Sequence, residues 1–162
     1  MTFVAFLATY TLFLMLLIAA GAWLTLDRPR KLELLVAGVL ALAVLGVLIV
    51  AMSAIWTDPR PFVVDGLAPA IAHAADNGFP SDHTAAAAAV AGLVLAYRRR
   101  IGIFLVLLAV VVGMSRVAAH VHHVPDILGG LGIGLIAAAS GITLARVAMR
   151  AWTARQSASR VS

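Results

Sequence analysis

The sequence contains no cysteine, so disulfides and thiolate metal sites are excluded. It is poor in charge as well. Only 12% of its 162 residues are Asp, Glu, Lys or Arg, against about a quarter in soluble domains. No Lys or Arg precedes the first apolar run, Phe3–Leu26, and that run exceeds the signal-peptide core of about 7–15 residues. It is expected to be a retained span rather than a cleaved leader. No internal repeat is evident. The one glycine cluster, Gly129–Gly134, has no preceding strand and no Lys-Ser/Thr, which excludes a phosphate-cradling nucleotide loop. Small residues there, and in the alanine run Ala85–Ala89, fit close helix packing instead.

What is present is hydrophobic: 63% of the chain, with a mean hydropathy of +1.05. This composition and length indicate one membrane domain. Five spans are expected, at Phe3–Leu26, Leu32–Trp56, Ser81–Tyr97, Ile101 to about Ala119, and about Ile127 to Ala148. About 20 apolar residues cross the hydrocarbon layer, and in lipid only helices satisfy their own backbone here. The fold class is therefore an all-α, polytopic membrane bundle. Residues 1–150 form the domain, and the basic, Ser-rich segment 151–162 is expected to be a disordered cytoplasmic tail.

The net charge of +5 reads as a topology signal rather than a nucleic-acid footprint. Arg28, Arg30, Lys31, Arg98, Arg99, Arg100, Arg146, Arg150, Arg155 and Arg160 fall on one side, which the positive-inside rule makes cytoplasmic. The N-terminus and the segments 57–80 and 120–126 then face outward. Only Arg60 and Arg116 break the pattern, and they sit among all five histidines, His73, His83, His120, His122 and His123. Arginines at span ends often snorkel to headgroups. Two of them clustered with His and Asp at membrane depth point instead to a functional site. At 1.5 Å per residue, His83 and Arg116 stand about 21 and 22 Å above the cytoplasmic boundary. That describes a shallow polar pocket opening outward.

Three segments carry the chemistry. In Trp56–Val63, Pro59 and Pro61 bracket Arg60, stopping the second span and holding Arg60 on stiff backbone. A guanidinium there suits phosphate, although a solvated helix end explains the motif equally simply. In Phe79–His83, a helix starting near Ser81 offers free N–H groups to an anion. Ser81 can cap it or bond a phosphate oxygen, and His83 can act as a general acid; plain capping by Ser81 and Asp82 is the alternative. In Ser115–Leu128, Pro125 marks a helix start, and His122 and Asp126 can pair across the bend, as a catalytic histidine requires. Three histidines also suit a metal, but only one acid lies close by.

In this order the segments resemble the type 2 phosphatidate phosphatase superfamily, whose pattern is Lys-x6-Arg-Pro, Pro-Ser-x-His and Ser-Arg-x5-His-x3-Asp. Pro80-Ser81-Asp82-His83 and Ser115-Arg116…His122…Asp126 match in full. Arg60-Pro61 is kept, while the lysine position holds Ser53. The variant FPSDHT, with PRPFV before it and PDILGG after it, looks most like the bacitracin-resistance-type undecaprenyl-diphosphatases, with five spans in place of the usual six. The resemblance implies hydrolysis of a polyprenyl diphosphate, or of another phosphorylated lipid, with no cofactor and no metal. It implies that His122 is the nucleophile, Asp126 its orienting carboxylate and His83 the leaving-group acid. Arg60, Arg116 and Ser81 would bind phosphate. Membrane lipids are the other implied partner; the oligomeric state is left open. A His-lined transporter is the rival class, but a relay should cross the whole membrane, and below the pocket the third and fourth spans hold no ionisable residue before Arg98.

Overall fold

The computed structural model describes residues 1–158, which form six helices. These are α1 (Phe3–Leu24), α2 (Arg28–Ile55), α3 (Pro61–Asp65), α4 (Asp82–Tyr97), α5 (Arg99–Ala118) and α6 (Val124–Ala158). Their limits follow from local chemistry. Thr2 caps α1 by accepting from the Ala5 N–H at 3.2 Å. Pro29 sits in the first turn of α2, where its missing N–H costs nothing. Pro61 pushes Arg60 to an extended φ of −61° and ψ of 149°, the effect expected of a residue before proline. Gly66 then stops α3 in the left-handed conformation, with φ 73°. His120, with φ 63°, ends α5 in the same way; histidine is among the side chains enriched there.

Helices α1, α2, α5 and α6 are each long and apolar enough to cross a membrane. Helix α4, the expected third span, has 16 residues and is about 24 Å long. It lies at the centre, packed against α1, α2, α5 and α6. Its alanines Ala85, Ala87, Ala88 and Ala91 are fully or almost fully buried. Met15, Leu105 and Val112 fill the α1–α4–α5 side of the core; Leu45, Ile133 and Ala137 fill the α2–α4–α6 side. Large side chains such as Leu17, Leu42, Leu107 and Ile136 point outward and form the belt expected to meet lipid.

In lipid, helices associate by close packing rather than by escape from water. The glycine cluster serves that need. A Cβ on Gly130 would stand 2.7 Å from the Ser81 carbonyl oxygen, and one on Gly134 2.3 Å from that of Ala85. Helix α6 thus lies directly against the N-terminal turns of α4.

Helix α6 carries on past residue 151 through Ala158. Met149, Ala151, Ala154, Arg155 and Gln156 are good helix formers with no Gly or Pro among them. The Thr153 hydroxyl donates back to the Arg150 carbonyl at 2.9 Å. The last four tail positions lie outside the described residues. At this basic end, Glu33 accepts from Tyr97 Oη at 2.9 Å and pairs with Arg146 at 3.0 Å, tying α2, α4 and α6 together.

Gly134→Val should be severely destabilising, by about 3 kcal/mol or more, because overpacking here meets backbone rather than a mobile side chain. Gly132→Ala, where a Cβ meets nothing within 4 Å, should leave stability within about 1 kcal/mol of wild type. Thermal melts of both variants in detergent check the contrast.

Candidate active site

At the end of the bundle opposite the basic side, α2 ends and α4 and α6 begin. Segment 56–60 and the α3–α4 loop meet there. The Asn77 carboxamide joins them: its Oδ1 accepts from the Asp58 and Phe79 N–H groups, and its Nδ2 donates to the Ser53 and Trp56 carbonyls. Gly78 is required beneath. Its N–H donates to the Asp58 carbonyl at 2.8 Å, and a Cβ would stand 3.1 Å from Asp126 Oδ2.

Arg60 is 5% exposed and held on all sides. Its Nε donates to Asp76 Oδ1 at 2.7 Å, Nη1 to the Val121 carbonyl at 2.9 Å and Nη2 to the Asn77 carbonyl at 3.3 Å. Nη1 also lies 3.1 Å from His122 Nε2. A guanidinium can only donate, so Nε2 of a neutral His122 carries the lone pair, and Nδ1 carries the proton. That proton faces Asp126 Oδ2 at 3.2 Å. The tautomer follows from these neighbours. His122 is 3% exposed and Asp126 0%. Asp126 Oδ2 also accepts the His123 N–H at 2.9 Å. The expected pairing across the bend is formed, and it leaves Nε2 beside a fixed cation.

A cavity of about 320 Å³ lies here, lined by Ser53, Arg60, His73, Asp76, His83 and His122 among others. A second cavity of about 500 Å³ opens on the other side of His73 and His83 and reaches Arg116. The structure therefore brings Arg60, His83, His122 and Asp126 together and sets Arg116 in the adjoining space. Ser81 is placed differently from a capping residue. It occupies the N-cap of α4 without a side-chain capping bond, is 0% exposed, and its Oγ accepts from Thr84 Oγ1 at 3.0 Å. Its N–H donates to the Asp126 carbonyl at 3.1 Å, locking the second motif to the third. The first N–H groups of α4 are left uncapped.

The remaining histidines take distinct positions. His120 pairs with Asp65 at 2.8 Å and His123 with Asp58 at 3.1 Å. The His73 ring stands edge-on to that of His122, with centroids 6.0 Å apart. Burial, then the Arg60 and Arg116 charges, lower the His73 pKa from its ordinary 6.5 and favour the neutral ring. Among the described residues one trio has metal-like spacing: Asp58, His123 and Asp126 bring ligand atoms within 4.8 Å. It is not the set of three histidines considered from sequence, and its members already bond one another. Asp58, His73, Asp76, Asn77, Gly78 and His123 belong to the site or its frame although no motif named them. The sequence signal was their position, immediately before FPSDH or within the segments already marked.

A family model described as PAP2 superfamily matches residues 32–152. The chain belongs to the PAP2 superfamily. It is 34% identical over 131 residues to the undecaprenyl-diphosphatase BcrC of Bacillus subtilis, covering 81% of this chain and 67% of that one. Among solved structures it resembles LpxE of Aquifex aeolicus, with a TM-score of 0.61 and 26% identity over 86% of this chain and 81% of that one. It also resembles a transmembrane PAP2-type phosphatidylglycerolphosphate phosphatase from Bacillus subtilis, with a TM-score of 0.54 and 26% identity over 91% and 73% of the two chains. The helical bundle is thus that of a PAP2-type membrane phosphatase.

The Arg60 guanidinium holds the Asp76 carboxyl below its ordinary pKa of 3.8. A depressed carboxylate pKa stabilises the fold above the ordinary value, and the contribution fades as pH falls through the lowered one. Because the Asp76 side chain is 61% exposed, the pair is worth at most about 1 kcal/mol. Asp76→Asn should therefore melt slightly below wild type at pH 7, and the gap should close as pH approaches 3. Melting temperatures across that range check it.

Proposed function

We propose that this PAP2-superfamily protein is an undecaprenyl-diphosphate phosphatase that removes the terminal phosphate of the cell-wall lipid carrier. The observation that carries the reading is the hydrogen-bonded line Arg60–His122–Asp126 at the wall of a cavity. The likeness to a relative named undecaprenyl-diphosphatase supports the choice of substrate. The charge map supports a multi-pass protein of the plasma membrane, with N-terminus and site outside and C-terminus cytoplasmic. A polyprenyl chain then stays in the outer leaflet while its diphosphate enters the pocket.

In this mechanism His122 Nε2 attacks the terminal phosphorus. The bond from that phosphorus to the bridging oxygen breaks, and its electron pair leaves on the lipid monophosphate. His83 donates its ring proton to that oxygen. Asp126 holds the His122 ring and stabilises the charge it gains. Arg60, Arg116 and the free N–H groups of α4 stabilise charge on the phosphoryl oxygens, the main task in phosphoryl transfer. Ser81 fixes the start of α4 against Asp126. Water then attacks the phosphohistidine and gives a proton to His83; the bond from phosphorus to His122 Nε2 breaks, its electron pair returns to the ring, and phosphate leaves with both histidines restored. No metal takes part in this scheme.

A second reading has a specific observation behind it. Ser53 stands where the family pattern has lysine, and its hydroxyl donates to the Phe79 carbonyl at 2.9 Å rather than presenting a charge. One cation fewer favours a phosphatase of a lipid monophosphate such as phosphatidate or phosphatidylglycerol phosphate. The ratio of kcat/KM on diphosphate and monophosphate lipids separates the two. A ratio above one supports the first, and a ratio below one the second.

Purified protein should release phosphate from undecaprenyl diphosphate with chelator present. His122→Ala should lower kcat by about three orders of magnitude or more, and Asp126→Asn by about 10²–10⁴-fold. Full activity of His122→Ala would remove it as the nucleophile.

A further inference from the structure

Helix α4 is shorter than the helices it packs between. Its 16 residues rise about 24 Å, less than the hydrocarbon thickness of about 30 Å. Helices α2 and α6, with 28 and 35 residues, rise about 42 and about 52 Å. They run antiparallel: Gly141 lies against Ala37 and Ala41, and Arg146 against Glu33. Helix α4 stops at Tyr97 while α6 continues. A cavity of about 480 Å³ is left at the basic end, lined by Arg30 and Glu33 of α2, Tyr97 of α4, and Arg146 and Arg150 of α6 among others.

The charge of this cavity is unbalanced, with three arginines and one acid, Glu33, in its wall. Glu33 Oε1 already accepts from the Tyr97 hydroxyl and from Arg146 Nε. Arg30 meets Asp27 at 3.6 Å, with both side chains more than half exposed, and such a pair is worth little. Arg150, one turn beyond Arg146 on the same stripe of α6, has no ion-pair partner among the described residues. Guanidinium groups supplied by two helices suit phosphate oxygens. The surroundings are apolar. Leu32 and Val147, each within two residues of a lining arginine, are exposed, as is Trp152 farther along α6; tryptophan is typical of headgroup level. One turn toward the middle of the bundle, Ala37, Ile142 and Ala145 pack as a closed core. An acyl chain therefore cannot continue inward and has to lie on the outer face, against residues such as Leu32 and Val147.

We propose that this cavity is a structural lipid site, which takes the phosphate headgroup of an anionic phospholipid from the adjoining leaflet, with Arg30, Arg146 and Arg150 as its cations. Basic pockets between spanning helices recognise anionic headgroups in this way. The lipid bridges α2 and α6 across the end of α4 and adds to the link that Glu33 makes between them. It lies at the opposite end of the bundle from His122 and takes no part in the reaction there.

The full chain in neutral detergent micelles should melt about 4 °C higher with dioleoylphosphatidylglycerol at about ten times its half-saturating concentration. The same amount of dioleoylphosphatidylcholine should give no shift, and neither should inorganic phosphate. Arg30→Gln combined with Arg150→Gln should reduce the phosphatidylglycerol shift to less than half. Arg99→Gln combined with Arg100→Gln removes the same charge from exposed positions at the same end, outside the cavity, and should keep the full shift. An equal shift with phosphatidylcholine, or equal losses in the two double variants, would overturn the site in favour of general lipid or surface-charge effects. A matching shift with inorganic phosphate would overturn the lipid and leave a soluble anion in its place. A phosphatidylglycerol carrying a diazirine on its headgroup glycerol reads the location on the wild-type protein, whatever the variants do. Light should attach it near Arg30 or within 146–153, and attachment confined to α5 would overturn the placement.

Discussion

The site depends on how closely α6 can approach the first turns of α4. Gly130 and Gly134 let the two helices meet at the level of backbone carbonyls, nearer than any side chain would permit. That approach brings the Ser81 N–H to the Asp126 carbonyl. The motif beginning α4 and the motif beginning α6 thereby become one rigid unit. In a hydrocarbon solvent, where apolar surface gives no preference for protein over lipid, such contact between small residues is what holds helices in register. The position of His122 relative to the open end of α4 follows from it.

Charge is the second constraint. Two guanidinium groups are buried at the end of the bundle opposite the basic side, where an unpaired cation is costly. The protein answers the two differently. Arg60 is fixed by Asp76 and by carbonyls from both flanking loops, so it acts as part of the frame and sets the tautomer of His122. Arg116 keeps two donors idle. One cation is thus spent on preorganisation, while the other keeps two buried donors unpaired.

The motifs themselves were readable because each carries its own local mechanism. Proline on both sides of Arg60 sets an extended backbone whatever surrounds it. Pro125 starts a helix, and the four-residue step from His122 to Asp126 spans one turn. The helices were readable because lipid demands long apolar runs. Less legible were the residues that act only across the chain. Nothing local in Asp76 or Asn77 shows that one would hold Arg60 and the other would join segments 53–58 and 77–79. His73 was one of the five clustered histidines, but nothing local placed it against the His122 ring. Ser81 was read as a cap or a phosphate ligand, and its hydroxyl meets Thr84.

The amino-acid sequence alone determined a helical membrane bundle, the asymmetry of its charges and the pairing of His122 with Asp126. Those features depend on composition and on spacings within one or two turns, which no distant contact overrides. Only the tertiary structure decided which arginine is satisfied and which keeps unpaired donors, and that α1 walls one of the cavities. These depend on the separation of helices far apart in the chain, which is set by packing of small residues and not by any pattern within a single helix.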